Sequence, residues 1–159
     1  MSRIVTSLWF ASDVREAADF YVSLIPNSSI DRVTVLNADS PSGPTGSVSV
    51  IDFTLDGRAF SAMQAAGAEP FNHAASITVL CDDQAEIDRI WNAILKNGGT
   101  EVACGWIKDR WGLSWQVVPR VLLDMIADSN GAKSKAAAEA MMQMVKFEIE
   151  PLRRAFDAA

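Results

Sequence analysis

Hydrophobic and polar positions change period several times along the chain, and each change marks an element. Residues 4–10 are mostly apolar, and Val5, Thr6 and Trp9 favour a strand. Asp13 then offers a helix N-cap, and Ala17, Ala18, Phe20, Tyr21 and Leu24 recur at helical spacing until Pro26 stops them. From Ser29 to Leu36 the β-branched residues Ile30, Val33 and Val35 are interleaved with polar ones. After a loop rich in Pro, Gly and Ser the strand pattern returns between Ser47 and Leu55. Asp56-Gly57 predicts a tight hairpin turn, with Arg58 to Gln64 pairing back from it. The first half therefore reads β-α-β-β-β.

A loop from Ala65 to Asn72, carrying Gly67 and Pro70, separates this unit from the next. Ala75 to Cys81 predicts a strand. Asp82 or Asp83 then caps a helix whose apolar face is Ile87, Ile90, Trp91, Ile94 and Leu95, ended by Gly98-Gly99. The run Cys104 to Pro119 follows and holds three of the five tryptophans. It reads as an aromatic strand, a charged turn at Lys108 to Arg110, and a second strand that Pro119 ends. A strand leading into an Asp-capped helix thus occurs twice, which points to an internal duplication. Beyond Pro119, Val121 to Ala127 and Ala132 to Phe147 carry helical periodicity, and Pro151 suits the first turn of a last helix through Phe156. Met141, Met142, Met144 and Val145 read as packing rather than as a cofactor box. The expected organisation is α+β and one structural domain: a first module over residues 1–66, a second over 73–119, and a C-terminal helical extension over 120–159 that covers a sheet edge or a partner subunit.

Composition narrows the function classes. At 159 residues and 49% hydrophobic content the chain can bury a core of ordinary domain size. Cys81 and Cys104 have no CxxC spacing, so neither a disulfide framework nor a zinc knot is indicated, and reduced thiols in the cytoplasm are expected. No apolar run approaches the roughly 20 residues of a membrane span, and no signal-peptide core follows Met1, so no membrane partner is expected. The net charge of −6, with 14 scattered Lys and Arg, opposes binding to nucleic acid.

Three stretches carry a family likeness. Leu8-Trp9-Phe10 with Ala17-Ala18-Asp19-Phe20-Tyr21, the run Gly105 to Pro119, and Ala140 to Met144 with Leu152 to Phe156 resemble the PhnB-like family. Its members are often labelled 3-demethylubiquinone-9 3-methyltransferase, and it is similar to the glyoxalase, bleomycin resistance and extradiol dioxygenase proteins of the vicinal oxygen chelate superfamily. The resemblance implies two β-α-β-β-β modules curling into an incomplete barrel around a cavity, as a homodimer. It also implies a divalent metal held by His, Gln and Glu side chains from both modules. Set against that pattern, the first ligand position falls near Thr6, no carboxylate lies between Asp56 and Glu69, the next position falls near Ala75, and the last is Gln116, which lacks the charge of a Glu. One histidine in the whole chain is too few, so no metal is expected. The methyltransferase label has no Gly-rich cofactor turn behind it, so no cofactor is expected.

His73 is a candidate general base at a strand entrance, weighed against a solvated loop histidine. Strand parity sets Ser114 and Gln116 on one face and Leu113 and Trp115 on the other. The cavity that the resemblance implies would be lined by Thr6, Leu8, Phe10, Met63 and Gln64 from the first module. The second would add Trp106, Ser114 and Gln116. The aromatic set Trp9, Phe10, Trp106, Trp111 and Trp115 suits either a flat-walled pocket or a core. Cys104 reads as a small buried hydrophobe, and Lys108 to Arg110 as a turn with its own ion pairs. The expectation is a protein binding a small organic molecule without a complete metal site. Its rival is an enzyme using His73 and Gln116 in metal-assisted or acid–base chemistry on a quinone-like or vicinal-oxygen substrate.

Overall fold

The computed structural model describes residues 3–159. The chain divides into two compact units, one ending at Pro70 and the other running from Phe71 to Ala159. In the first, β1 (Thr6–Phe10) leads to α1 (Val14–Leu24), followed by β2 (Ser29–Val35), β3 (Ser49–Leu55) and β4 (Arg58–Gln64). The sheet order is β1-β4-β3-β2, with β1 parallel to β4 and the other pairs antiparallel. Tyr21 on α1 reaches both Phe10 and Phe53, ring centroids 6.5 and 6.4 Å apart, and Phe53 stacks on Phe60 at 5.3 Å. Residues paired across a sheet share a face, so Thr6, Leu8 and Phe10 lie on the α1 side with Phe60, Ala62 and Gln64. Burying aromatic rings of this size stabilises by about 1.5–3 kcal/mol each.

The helix start differs from the expected Asp13 cap. Asp13 adopts a left-handed conformation (φ 59°, ψ 26°) and its side chain makes no capping bond. The orphan amide of Val14 instead donates to Gln64 Oε1 at 3.1 Å, so a side chain from β4 closes the helix end. An i, i+3 sequence rule cannot see a cap that comes from 50 residues away.

The second unit repeats the arrangement. It runs β5 (Ser76–Cys81), α2 (Gln84–Lys96), β6 (Thr100–Glu101), β7 (Trp106–Lys108) and β8 (Ser114–Pro119), in the sheet order β5-β8-β7-β6 with β5 parallel to β8. Here the cap is Asp83, which accepts from Glu86 N at 2.8 Å while Glu86 Oε2 accepts from Asp82 N at 3.0 Å, a reciprocal box. Ile87, Ile90, Trp91 and Ile94 of α2 are buried, as are Ile107, Trp115 and Val117 of the sheet. The indole of Trp91 donates to Glu101 Oε1 at 2.8 Å, placing Glu101 on the α2 side.

Three helices complete this unit: α3 (Arg120–Ile126), α4 (Gly131–Met142) and α5 (Ile149–Asp157). The helix expected to continue to Phe147 stops at Met142, because tertiary bonds take over the next residues. The carbonyls of Met144 and Val145 accept from Cys104 N and Gly105 N, both at 2.8 Å. Gln84 accepts from Ile149 N at 2.8 Å and donates to Phe147 O at 3.1 Å, and Lys146 pairs with Asp88 and Glu148. Phe147 then sits in a cluster with Val118, Leu122, Met125, Ala137 and Leu152, against which Met141 and Met144 pack.

Candidate functional site

The Trp-rich hairpin positions a polar face of the second sheet, and one buried carboxylate holds the hairpin. Asp109 Oδ1 accepts from the backbone amides of Trp111 and Leu113, and Oδ2 accepts from the indole of Trp115, all at 3.0 Å. Asp109 is only 4% exposed and Trp115 is fully buried, so these bonds form away from water, where charge-assisted bonds are strongest. The turn is a carboxylate-centred loop, with the Arg110 guanidinium lying 4.4 Å over the Trp111 ring.

With Trp115 and Val117 committed to α2, alternation turns Ser114 and Gln116 to the opposite face. The register sets Ser76 beside Ser114 and Thr78 beside Gln116 from β5. From β7 it sets Lys108 beside Ser114 and Trp106 beside Gln116. Gln116 Nε2 donates to Ser76 Oγ at 2.8 Å. Ser114 is 1% exposed, and its hydroxyl has no hydrogen-bond partner among the described residues. An unpaired buried hydroxyl costs about 1–3 kcal/mol. Leu80 and Val118, further along the same face, are covered by the Phe147 cluster, so the polar part is the remainder.

Of the residues singled out from the sequence, Ser114, Gln116 and Trp106 come together here. Thr6, Leu8 and Phe10 lie on the α1 side of the first sheet, Phe10 in the core, and Gln64 caps α1. This corrects their expected place on a ligand-facing surface. Met63 alone of that set faces away from α1, paired with Val50 on β3 and Trp9 on β1. His73 stands in an exposed turn three residues before β5, and no hydrogen bond or ion pair among the described residues joins it to Gln116. Ser76, Thr78 and Lys108 were not foreseen as neighbours, because one sequence does not fix the register between β5 and β8. Asp52 was missed as well. It accepts from Ser61 Oγ at 2.9 Å and from Arg32, whose hydrogen bond holds the carboxyl below the usual carboxylate range.

These donors do not fit a divalent cation. Thr6 points to the α1 side, Ala75 precedes the strand, Gln116 offers a single neutral amide oxygen while its Nε2 donates to Ser76, and Asp52 is engaged by Arg32 and Ser61. Among the described residues no group of three or more His, Cys, Asp or Glu side chains is placed to hold a metal ion. Nor is any helix long and apolar enough to cross a membrane.

Comparison with known proteins agrees with this fold. The family model for 3-demethylubiquinone-9 3-methyltransferase matches residues 2–118, ending just before α3. The PhnB protein of Bacillus cereus is 26% identical, over 74% of this chain and 99% of that one, with a TM-score of 0.63. Glyoxalase I of Leishmania major (11% identity, 80% and 92% of the two chains, TM-score 0.55) shares the fold. So does a fosfomycin resistance protein of Mesorhizobium loti (13%, 80% and 98%, TM-score 0.57). No curated protein gives a significant match. Two repeated four-stranded mixed sheets, the Trp-rich hairpin and the extent of the matched region all lead to one assignment: the chain belongs to the 3-demethylubiquinone-9 3-methyltransferase family, with the PhnB protein among its relatives.

Proposed function

We propose that this protein binds a small organic molecule on the face of the second sheet formed by Ser76, Ser114, Gln116 and Trp106, without a complete metal site. The observation that carries the reading is the unpartnered, buried Ser114 hydroxyl beside the Gln116–Ser76 pair. Hydroxyl and amide groups both donate and accept, so a ligand oxygen or nitrogen arriving at Ser114 completes a bond the free protein lacks. Trp106 adds an apolar wall next to Gln116. The exposed position of His73, off the sheet, favours binding over acid–base chemistry on this face.

A thermal-shift screen of small polar organics, each run with and without divalent metals, tests the reading. Hits should raise the midpoint without metal, and Ser114→Ala or Gln116→Ala should shrink the shift. A screen in which only metal-loaded protein responds, or in which both variants respond like the parent, removes the proposal. The homodimer and the cytoplasmic setting belong to the same reading. Light scattering should give a particle of twice the 17.2 kDa chain mass, and a monomer would remove the dimer.

A further inference from the structure

We infer that the ligand of this face is an anion with a flat, unsaturated body, its charge met by Lys108 and its plane by Trp106. The inference rests on the binding reading above and names the class of molecule. Its starting point is charge placement. The chain carries 20 Asp and Glu against 14 Lys and Arg, yet the four strands of the second sheet contain a single acid, Glu101. Glu101 is held on the α2 side by the Trp91 indole. The opposite face therefore has no carboxylate from its own strands, and one cation, Lys108.

Lys108 is exposed and has no ion-pair partner among the described residues, in contrast to Lys146, which two carboxylates engage. The neighbouring Asp109 has the opposite parity and is committed to Trp111, Leu113 and Trp115. Arg110 lies over Trp111. Lys108 is the direct cross-strand partner of Ser114, and such partners stand about 4.5–5.5 Å apart at Cβ. Its ammonium is thus available to a carboxylate or enolate oxygen on this face, while Trp106, opposite Gln116, presents a ring to whatever carries that oxygen. A neutral ligand would leave the ammonium unused. A cationic one would meet it as a like charge.

Benzoate and benzamide test this, being the same ring with a charged or a neutral head. Calorimetric titration of the 159-residue protein at low salt should show benzoate bound at least tenfold tighter, about 1.4 kcal/mol. Added salt should narrow the gap, since the pair is exposed. Lys108→Met and Lys108→Gln, both at an exposed position, should remove the preference by bringing benzoate affinity down to that of benzamide. Trp106→Leu should weaken both probes. Equal affinities in the parent, or a preference that survives both Lys108 variants, would overturn the inference. If the two probes bind equally and Ser114→Ala weakens both, the binding face stands and only its charge selectivity is lost. If neither probe binds up to its solubility limit, the face and the inference fall together.

Discussion

Replacing Asp109 by Asn changes one atom of the side chain and tests how the hairpin carrying Ser114 and Gln116 is held. Oδ1 can remain an oxygen and keep the bonds from Trp111 N and Leu113 N, but the other position becomes an NH2 facing the Trp115 indole N–H. Two donors then meet in a site where Asp109 is 4% exposed and Trp115 fully buried. Leaving the indole without an acceptor costs about 1–3 kcal/mol, and loss of the charge weakens the two backbone bonds further, so the total should be about 2–4 kcal/mol. That is a large part of an ordinary stability of about 5–15 kcal/mol. Urea unfolding followed by tryptophan emission reads it directly, because Trp91, Trp106, Trp111 and Trp115 all belong to the second unit. A double-mutant cycle with Trp115→Phe, which keeps the ring and deletes the N–H, should return a coupling of about 1–2 kcal/mol. An Asp109→Asn variant within about 0.5 kcal/mol of the parent, or a coupling near zero, would refute the argument.

Three further outcomes are expected. Gly105 has φ +77° and an added Cβ would lie 2.3 Å from Phe147 Cε2, so Gly105→Ala combines left-handed strain with overpacking, about 2–4 kcal/mol together. Its melting midpoint should drop, and an unchanged midpoint would contradict the contact. The hydrogen bond from Lys146 holds the Asp88 carboxyl below its ordinary range, so the pair's contribution is present above that range and is lost as pH falls through the depressed value. Lys146→Met should therefore flatten the acid side of the stability profile and cost about 0.5–1 kcal/mol near neutrality; an acid slope like the parent's would tell against it. Burial pushes the Cys81 thiol up to about 12, so a thiol reagent at mildly alkaline pH should label it only as fast as the protein opens. Labelling faster than unfolding would contradict its burial.

Patterns that act locally were legible in the sequence. Ile87, Ile90, Trp91 and Ile94 announced α2, Asp56-Gly57 announced the β3–β4 turn, and the alternation through Ser114, Trp115 and Gln116 gave the correct two faces of β8. What failed depended on distant partners. Gln64 replaces Asp13 as the cap of α1 across 50 residues, and β1 presents Phe10 to Tyr21 rather than to the open side. Residues 144–147 leave the helix because Cys104, Gly105 and Gln84 offer them bonds that propensity does not weigh. The polar face was half visible for the same reason. Ser114 and Gln116 could be read from their own strand, whereas Ser76 and Lys108 join them only through the registers of β5 and β7.

The central claim is that Ser114 and Gln116 receive a small organic ligand with no metal between them. Isotope-edited NMR of the Gln116 side-chain amide, with chelator present and the tightest ligand from the screen titrated in, tests it most directly. The account predicts a resonance that moves and saturates with the ligand, and a weaker titration in Ser114→Ala. A resonance that stays still while the ligand binds elsewhere, or that moves only after a divalent cation is restored, would contradict it.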